Sequence, residues 1–483
     1  MRVPLLGDAY ATRSVIASAQ EAINLYSERN SPDSSPPVPA TCYPTPGLEL
    51  VSDPPLIQAM RTLYRASDGV LYCVIGPNVY EVSNTYAFTL LGTIPNASTP
   101  VVFSDNGEVI VLVDGTATSY AIEMATGTFG TIAATNFYGA RFVAFLDTYF
   151  IFNRPDTNQF YISLSNVTYA MLIGGSGFDP LDIAAKGSAD PIVGVFAVHG
   201  ELWLIGTLAS EVWYNSGAAD FTFQRIQGAY IDHGCAAPYS IAQVDTALLW
   251  LSQDKQGNCV YVTTEGYAVR RVSVHALEEE WQAYANVADA ISYIHQTEGH
   301  AFVVCTFPTA DKTYSYDIGA GQWHRRASID GNGVLHRHRS NCFAFAYDQN
   351  LVGDYQNGNL YNLTTEAFTD NGVAIPRIRS FPHLVKDGRR VIYKTFQADM
   401  ATGQQTGGES ADPPKVFLRW SDDKGFTYGN RVGQSMGATG QYIASPQWSR
   451  LGYARDRVFE LSWAGAVDTA LNGCWVTFEA SRT

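Results

Sequence analysis

The chain has 483 residues, 46% hydrophobic and only 16% charged, which excludes disorder and allows a packed core throughout. Its formal charge of −15 excludes a global grip on nucleic acid by phosphate neutralisation. Aromatic residues at 13% and 42 glycines favour β-rich architecture, because rings suit pleated surfaces and glycine suits tight turns.

In chain order, residues 14–26 (SVIASAQEAINLY) predict one short helix. Residues 31–39 (SPDSSPPVP) are too proline-rich for helix or central strand and read as an extended tether. TPGLEL, residues 45–50, is a turn running into a strand. Seven strand-rich groups follow, beginning near Met60, Val101, Ala140, Ile192, Tyr239, Ile291 and Cys342. Their spacing of about 40–50 residues is the period of a four-stranded propeller blade. One repeat is direct. YAIEMATGTF (residues 120–129) and YSYDIGAGQW (residues 314–323) share a Tyr, an acid three residues on, a Gly four later and an aromatic two after that. This suits a third strand, a Gly hairpin and a fourth strand with a packing aromatic, about four blades apart.

The pattern changes between Thr365 and Pro376, and the tail reads as a small β-sandwich with a surface loop at residues 403–414. The expected architecture is therefore all-β: an N-terminal arm and tether over 1–40, a propeller of about seven blades over 41–375, and a C-terminal β-sandwich over 376–483. The seven cysteines are scattered without a CxxC pair and read as buried free thiols in a reducing compartment. The opening MRVPLLGDAYATRS has no apolar secretory core, and no run of 18 apolar residues predicts a membrane span.

Several segments invite chemistry. WSDDKGFTYG (residues 420–429) has the Ser421-x-Asp423-x-Gly425-x-Thr427-Tyr428 spacing of the Asp-box turn repeated in sialidase propellers. Each of those residues also has a structural use in a hairpin, and no arginine cluster, Tyr nucleophile and acid accompany it. Glu278–Glu280 could offer paired carboxylates, but neighbours on a strand face opposite ways, so a solvated loop or helix start is the expectation. His336 and His338 share one strand face but lack a third and fourth ligand, which predicts an exposed polar face. RIRSFPHLVKDGRRVIYK, from Arg377 to Lys394, holds six Lys or Arg and one Asp. It reads either as a basic strip facing DNA or an acidic partner, or as the solvent side of strands at the domain junction. No catalytic, cofactor-binding or metal-binding residue can be assigned, and none of the common catalytic motifs is present.

The order of these segments resembles the packaged-DNA stabilisation proteins, or tail accessory factors, of short-tailed bacteriophages. The resemblance rests on INLYSE (residues 23–28) and YPTPGLEL (residues 43–50) before the first blade. It continues through residues 189–217 with Glu211, Trp213 and Tyr214, then GCAAPYSIAQVDTALLWLS (residues 234–252) and GDYQNGNLYNL (residues 353–363). It ends on WSDDKGFTYG and GCWVTFEA (residues 473–480). The resemblance implies a structural virion protein of the phage tail or neck, assembled in the host bacterial cytoplasm and carrying no enzyme activity or cofactor. It implies a homo-oligomeric ring, a hexamer, below the portal and adaptor ring. That ring would close the DNA channel, retain packaged DNA without sequence-specific binding and anchor the tail needle, fibre or tailspike proteins. The alternative is a glycan-binding or glycan-hydrolysing, sialidase-like propeller, carried by the Asp-box turn and the abundant Tyr and Trp.

Overall fold

The computed structural model describes residues 2–5, 9–31, 38–96, 98–253, 259–386, 388–403 and 413–480. Nearly all regular structure is strand, as the composition requires. Six antiparallel blades of four consecutive strands follow one another, five as separate sheets and the sixth as part of a larger one. Their first strands are Met60–Arg65, Val102–Asp105, Val143–Leu146, Ile192–Val198, Ala242–Val244 and Ile291–Thr297. A seventh blade is composite. Ser340–Ala346, Gln349–Asp354 and Leu360–Thr364 supply three strands, and Gly47–Ser52 from the start of the chain supplies the fourth. The turn read at TPGLEL thus leads into the strand that closes the ring. The repeat over residues 120–129 and 314–323 lies where its pattern requires. Gly127 (φ 69°) and Gly321 (φ 66°) turn the hairpins, each donating its N–H to the carbonyl of Glu123 or Asp317 at 2.8 Å. Phe129 stacks on Tyr120 at 5.3 Å, and Trp323 lies 5.0 Å from Tyr316.

Closure depends on close packing of the seventh blade on the first. Buried Met60, Ile75, Leu351 and Leu360 form one cluster across that seam. Gly353 leaves the space: a Cβ there would meet Met60 Sδ at 2.3 Å.

The helix expected over residues 14–26 does not form. Residues 14–18 make a single turn, and Glu21–Ile23 and Leu25–Arg29 are strands. Helix propensity is a weak prior that pairing overrides. Glu21–Ile23 runs parallel to the outer strand of the sixth blade, Gln322–Arg326, and antiparallel to Arg377–Ser380. Arg377–Ser380 then pairs with Asp456–Trp463, followed by Lys415–Ser421 and Val432–Ser435. One continuous sheet therefore leads from the sixth blade through the arm into the sandwich. The facing sheet comprises Leu25–Arg29, Ala40–Pro44, Leu471–Ala480, Val391–Met400 and Gln447–Ser449. Phe396, Phe459, Trp448 and Trp463 fill the space between the two sheets, with Phe396 4.8 Å from Phe459. Most of the tether read over residues 31–39, and of the loop read over 403–414, lies outside the described residues.

Candidate functional site

The first strands of the blades converge on an axial cavity of about 280 Å³, to which all seven blades contribute lining residues. Each blade brings one aromatic ring there. Tyr64 of the first blade stacks on Phe103 of the second at 5.3 Å. Phe142, ahead of the third blade's first strand, lies 5.7 Å from Phe196 of the fourth and 5.5 Å from Tyr239 ahead of the fifth. Tyr293 of the sixth stacks on Phe343 of the seventh at 5.6 Å. Several phenols are anchored: Tyr293 shares a hydrogen bond with Ser340 at 2.6 Å, and Tyr64 donates to Asp105 at 2.5 Å.

One mouth of this cavity adjoins a chamber of about 400 Å³, which shares Arg61, Tyr239 and Asn341 with it. Arg61 is 6% exposed. Its Nε donates to Thr99 O at 2.6 Å, and its Nη1 donates to Gly76 O and Asn96 O at 2.8 and 2.7 Å. Burial lowers its pKa to about 10 against the attraction of Asp114. Its Nη2 has no hydrogen-bond partner among the described residues, and neither has Asp289 Oδ1. Asp289 Oδ2 accepts from the Thr309 N–H and hydroxyl at 2.8 and 2.6 Å. Arg337 lies over the Tyr355 ring, 3.5 Å from its centroid, on the same chamber wall.

The second concentration of polar chemistry is the junction between propeller and sandwich. Asn24 sits at φ 55° and is 1% exposed. Its Nδ2 donates to Ala327 O and Pro376 O, both at 2.8 Å, and its Oδ1 accepts the Ala327 N–H at 2.9 Å. Tyr26 packs 5.2 Å from Phe302 and 5.4 Å from His300. INLYSE is thus a clasp between the two parts. Arg326 donates to Pro46 O at 3.0 Å and lies 3.3 Å from His338 Nε2.

Both readings of the basic strip need correction at its start. Arg377 and Arg379 face neither DNA nor solvent: they are 0% and 1% exposed. Arg377 donates to Gly465 O at 3.0 Å, and Arg379 donates to Leu5 O at 2.8 Å. Carbonyls at strand ends, orphaned where two domains meet, draw the guanidinium groups inward. His338 is also buried rather than exposed. Desolvation and the Arg326 charge hold its imidazole, and that of His295, well below the ordinary histidine range. His336, half-buried, pairs with Asp311 at 2.6 Å.

Glu278 is not solvated. It lies on a helix, His275–Gln282, with its carboxylate accepting from Arg271 Nε at 2.6 Å and from Ser273. Glu279 and Glu280 are exposed on the same helix, Glu280 accepting from the Tyr284 hydroxyl at 3.0 Å, so the three carboxylates form no pair. Glu211, fully buried, accepts from the Gly187 N–H at 3.1 Å and the Trp213 indole at 3.2 Å, a structural brace.

The Asp-box turn is a hairpin loop between Lys415–Ser421 and Val432–Ser435. Ser421 Oγ donates to Asp423 at 2.6 Å and accepts the Gly425 N–H at 2.8 Å; Asp423 also accepts the Thr427 N–H at 2.8 Å. These bonds hold the Asp423 carboxyl at a pKa of about 2. Ser421, Asp423 and Thr427 are thus used within the turn, while Asp422 reaches out to pair with Arg457 at 2.6 Å. The seven cysteines are free and buried, as read from the sequence. Among the described residues, no group of three His, Cys, Asp or Glu side chains is placed to hold a metal ion. Among them, too, no helix is long and apolar enough to cross a membrane.

A ring of four-stranded blades clasped by its own N-terminal strand and joined through one sheet to a β-sandwich defines a class of two-part all-β protein. Residues 19–368 match the family model described as "Bacteriophage P22 Gp10, beta-propeller", and residues 377–479 match "Bacteriophage P22 Gp10, beta-sandwich". The chain belongs to this phage family of packaged-DNA stabilisation proteins, structural components of the virion. Among solved structures, the WD40 β-propeller domain of Doa1 is similar at 11% identity, over 66% of this chain and 98% of that one, with a TM-score of 0.39. No curated protein matches.

Proposed function

We propose that this chain forms a homo-oligomeric ring, a hexamer, in the phage tail below the portal and adaptor. There it closes the DNA channel, retains packaged DNA and anchors the needle, fibre or tailspike proteins. Its work is done by shape and interface area, without bond-making chemistry, and the ring is assembled in the host cytoplasm. The observation that supports this most is the family match across both parts of the chain, taken with the sheet that runs unbroken through the junction. A part that holds pressurised DNA needs its two lobes to move as one. The formal charge of −15 suits a wall past which DNA slides, since like charge disfavours adhesion.

The test is imaging and native mass spectrometry of the purified protein, alone and mixed with the adaptor ring. A closed ring that stacks on the adaptor supports the proposal. A chain that stays monomeric at every concentration and ignores the adaptor overturns it. Hydrolysis of chromogenic sialosides by the same preparation, abolished by a single carboxylate substitution, would favour the glycan reading instead.

A further inference from the structure

The axial cavity and the chamber at its mouth are not needed to explain the fold. A propeller can close its axis with rings alone, yet here Arg61, 6% exposed and part of the chamber lining, keeps a buried, unspent donor at Nη2. A buried guanidinium N–H left unpaired is costly, and this one belongs to a residue that lines a cavity a ligand can enter. Three of the Arg61 hydrogen bonds fix the guanidinium in place, and Arg337 adds a second cation on the same wall. The chamber also presents the opposite polarity: Asp289 Oδ1, buried and unpartnered, can accept one N–H. Behind this mouth lies the floor of seven rings, several of them only half-buried.

A ligand that satisfies all of these has an anionic end, an adjacent N–H donor and an apolar or aromatic side group. The terminus of a polypeptide carries these on one residue: its α-carboxylate, its own backbone N–H and its side chain. We propose that the axial cavity binds the C-terminal end of a partner protein whose last residue is apolar or aromatic. The carboxylate pairs with Arg61 and Arg337, and the side chain enters the ring of aromatics. Capture of a chain terminus by fixed donors is a recurring mode of peptide recognition, and the pocket for the last side chain supplies selectivity. The proposal concerns a single chain and does not depend on ring assembly.

The test is fluorescence anisotropy with the full chain and a fluorescein-labelled peptide, Gly-Gly-Ala-Leu-Phe, with a free C-terminal carboxylate. Saturable binding is expected, weakened about tenfold or more when the same peptide is amidated, the loss of one charge-assisted contact. Arg61 braces three carbonyls, and Arg61→Gln can unfold the first blade. The half-buried Arg337→Gln is therefore the main variant, checked for an unchanged melting temperature, and should weaken the free acid about tenfold while leaving the amide unaffected. Absence of saturation at about 1 mM peptide, a limit set by ordinary affinities, would overturn the proposal. So would equal binding of acid and amide, or an Arg337→Gln protein that binds normally. Displacement of the peptide by a 5′-phosphorylated dinucleotide at lower concentration would show a nucleotide site and overturn it equally.

Discussion

Replacing Asn24 tests whether the arm is a clasp. In Asn24→Ala, Ala327 O, Pro376 O and the Ala327 N–H each lose a partner in a site 1% exposed. Three hydrogen bonds at about 1 kcal/mol each give about 3 kcal/mol; asparagine already carries a Cβ at φ 55°, so alanine adds none. That is a large share of the roughly 5–15 kcal/mol that holds a typical domain. Asn24→Gly loses the same bonds but also removes that Cβ, so it should be about 1 kcal/mol less damaging than alanine. The assay is limited proteolysis with trypsin. Arg29 is exposed but held in a strand paired with Ala40–Pro44, so cleavage after it reports release of the arm. Urea titration of the same variants gives the stability difference. If both variants resist trypsin like the parent and unfold within about 0.5 kcal/mol of it, the clasp reasoning is wrong.

Other outcomes follow from the same geometry. Gly425→Ala places a Cβ 2.6 Å from Ala19 Cβ at φ +93°; it should loosen residues 15–19 from the hairpin and speed proteolysis of the arm. The Asp423 carboxyl, at a pKa of about 2, sits below its unfolded value near 4, so its stabilising effect is complete above pH ~4 and lost as pH falls toward 2. Asp423→Asn should therefore lower the melting temperature at pH 7, and the gap from the parent should shrink as the pH is lowered through that window. His324, held near 3 by burial, and His295 and His338, also depressed, stay neutral in the folded chain. Below pH ~6.5 the unfolded chain gains up to three protons that the fold refuses. Stability should then fall by as much as about 4 kcal/mol per pH unit, read by urea titration between pH 7 and pH 5. A thiol reagent should label none of the seven cysteines in the native chain and all of them in denaturant; rapid labelling of any one would contradict its burial.

The blades were legible because their signals are local. Apolar strand groups about 40–50 residues apart, Gly hairpins and the repeat at Tyr120 and Tyr314 all lie within one blade or between equivalent strands of two. The arm was not legible for the opposite reason. Residues 14–26 carry Ala, Gln and Glu at helix-like density, but their fate is set by Arg325 and Arg377–Ser380, more than 300 positions away. The buried arginines and His338 follow the same logic. Composition placed them outside, and only the meeting of strand ends at the junction supplies the carbonyls and imidazoles that take them in. The axial rings were visible as aromatics but not as a set, because nothing in a linear spacing says that Phe142 and Tyr239 meet 5.5 Å apart. The hairpin of the Asp-box turn could be read from sequence, since the bonds of Ser421 and Asp423 that shape it span four residues or fewer.

The strand Gly47–Ser52 leaves the ribosome long before Leu360–Thr364, to which it must pair, and Leu25–Arg29 and Ala40–Pro44 wait for Leu471–Ala480 to complete their sheet. Six blades can be laid down one after another while the start of the chain stays unplaced. Two latches therefore shut in turn, the one on the disc once Leu360–Thr364 is made and the one on the lobe beside it only with Leu471–Ala480. A chain broken off before Leu360 has neither.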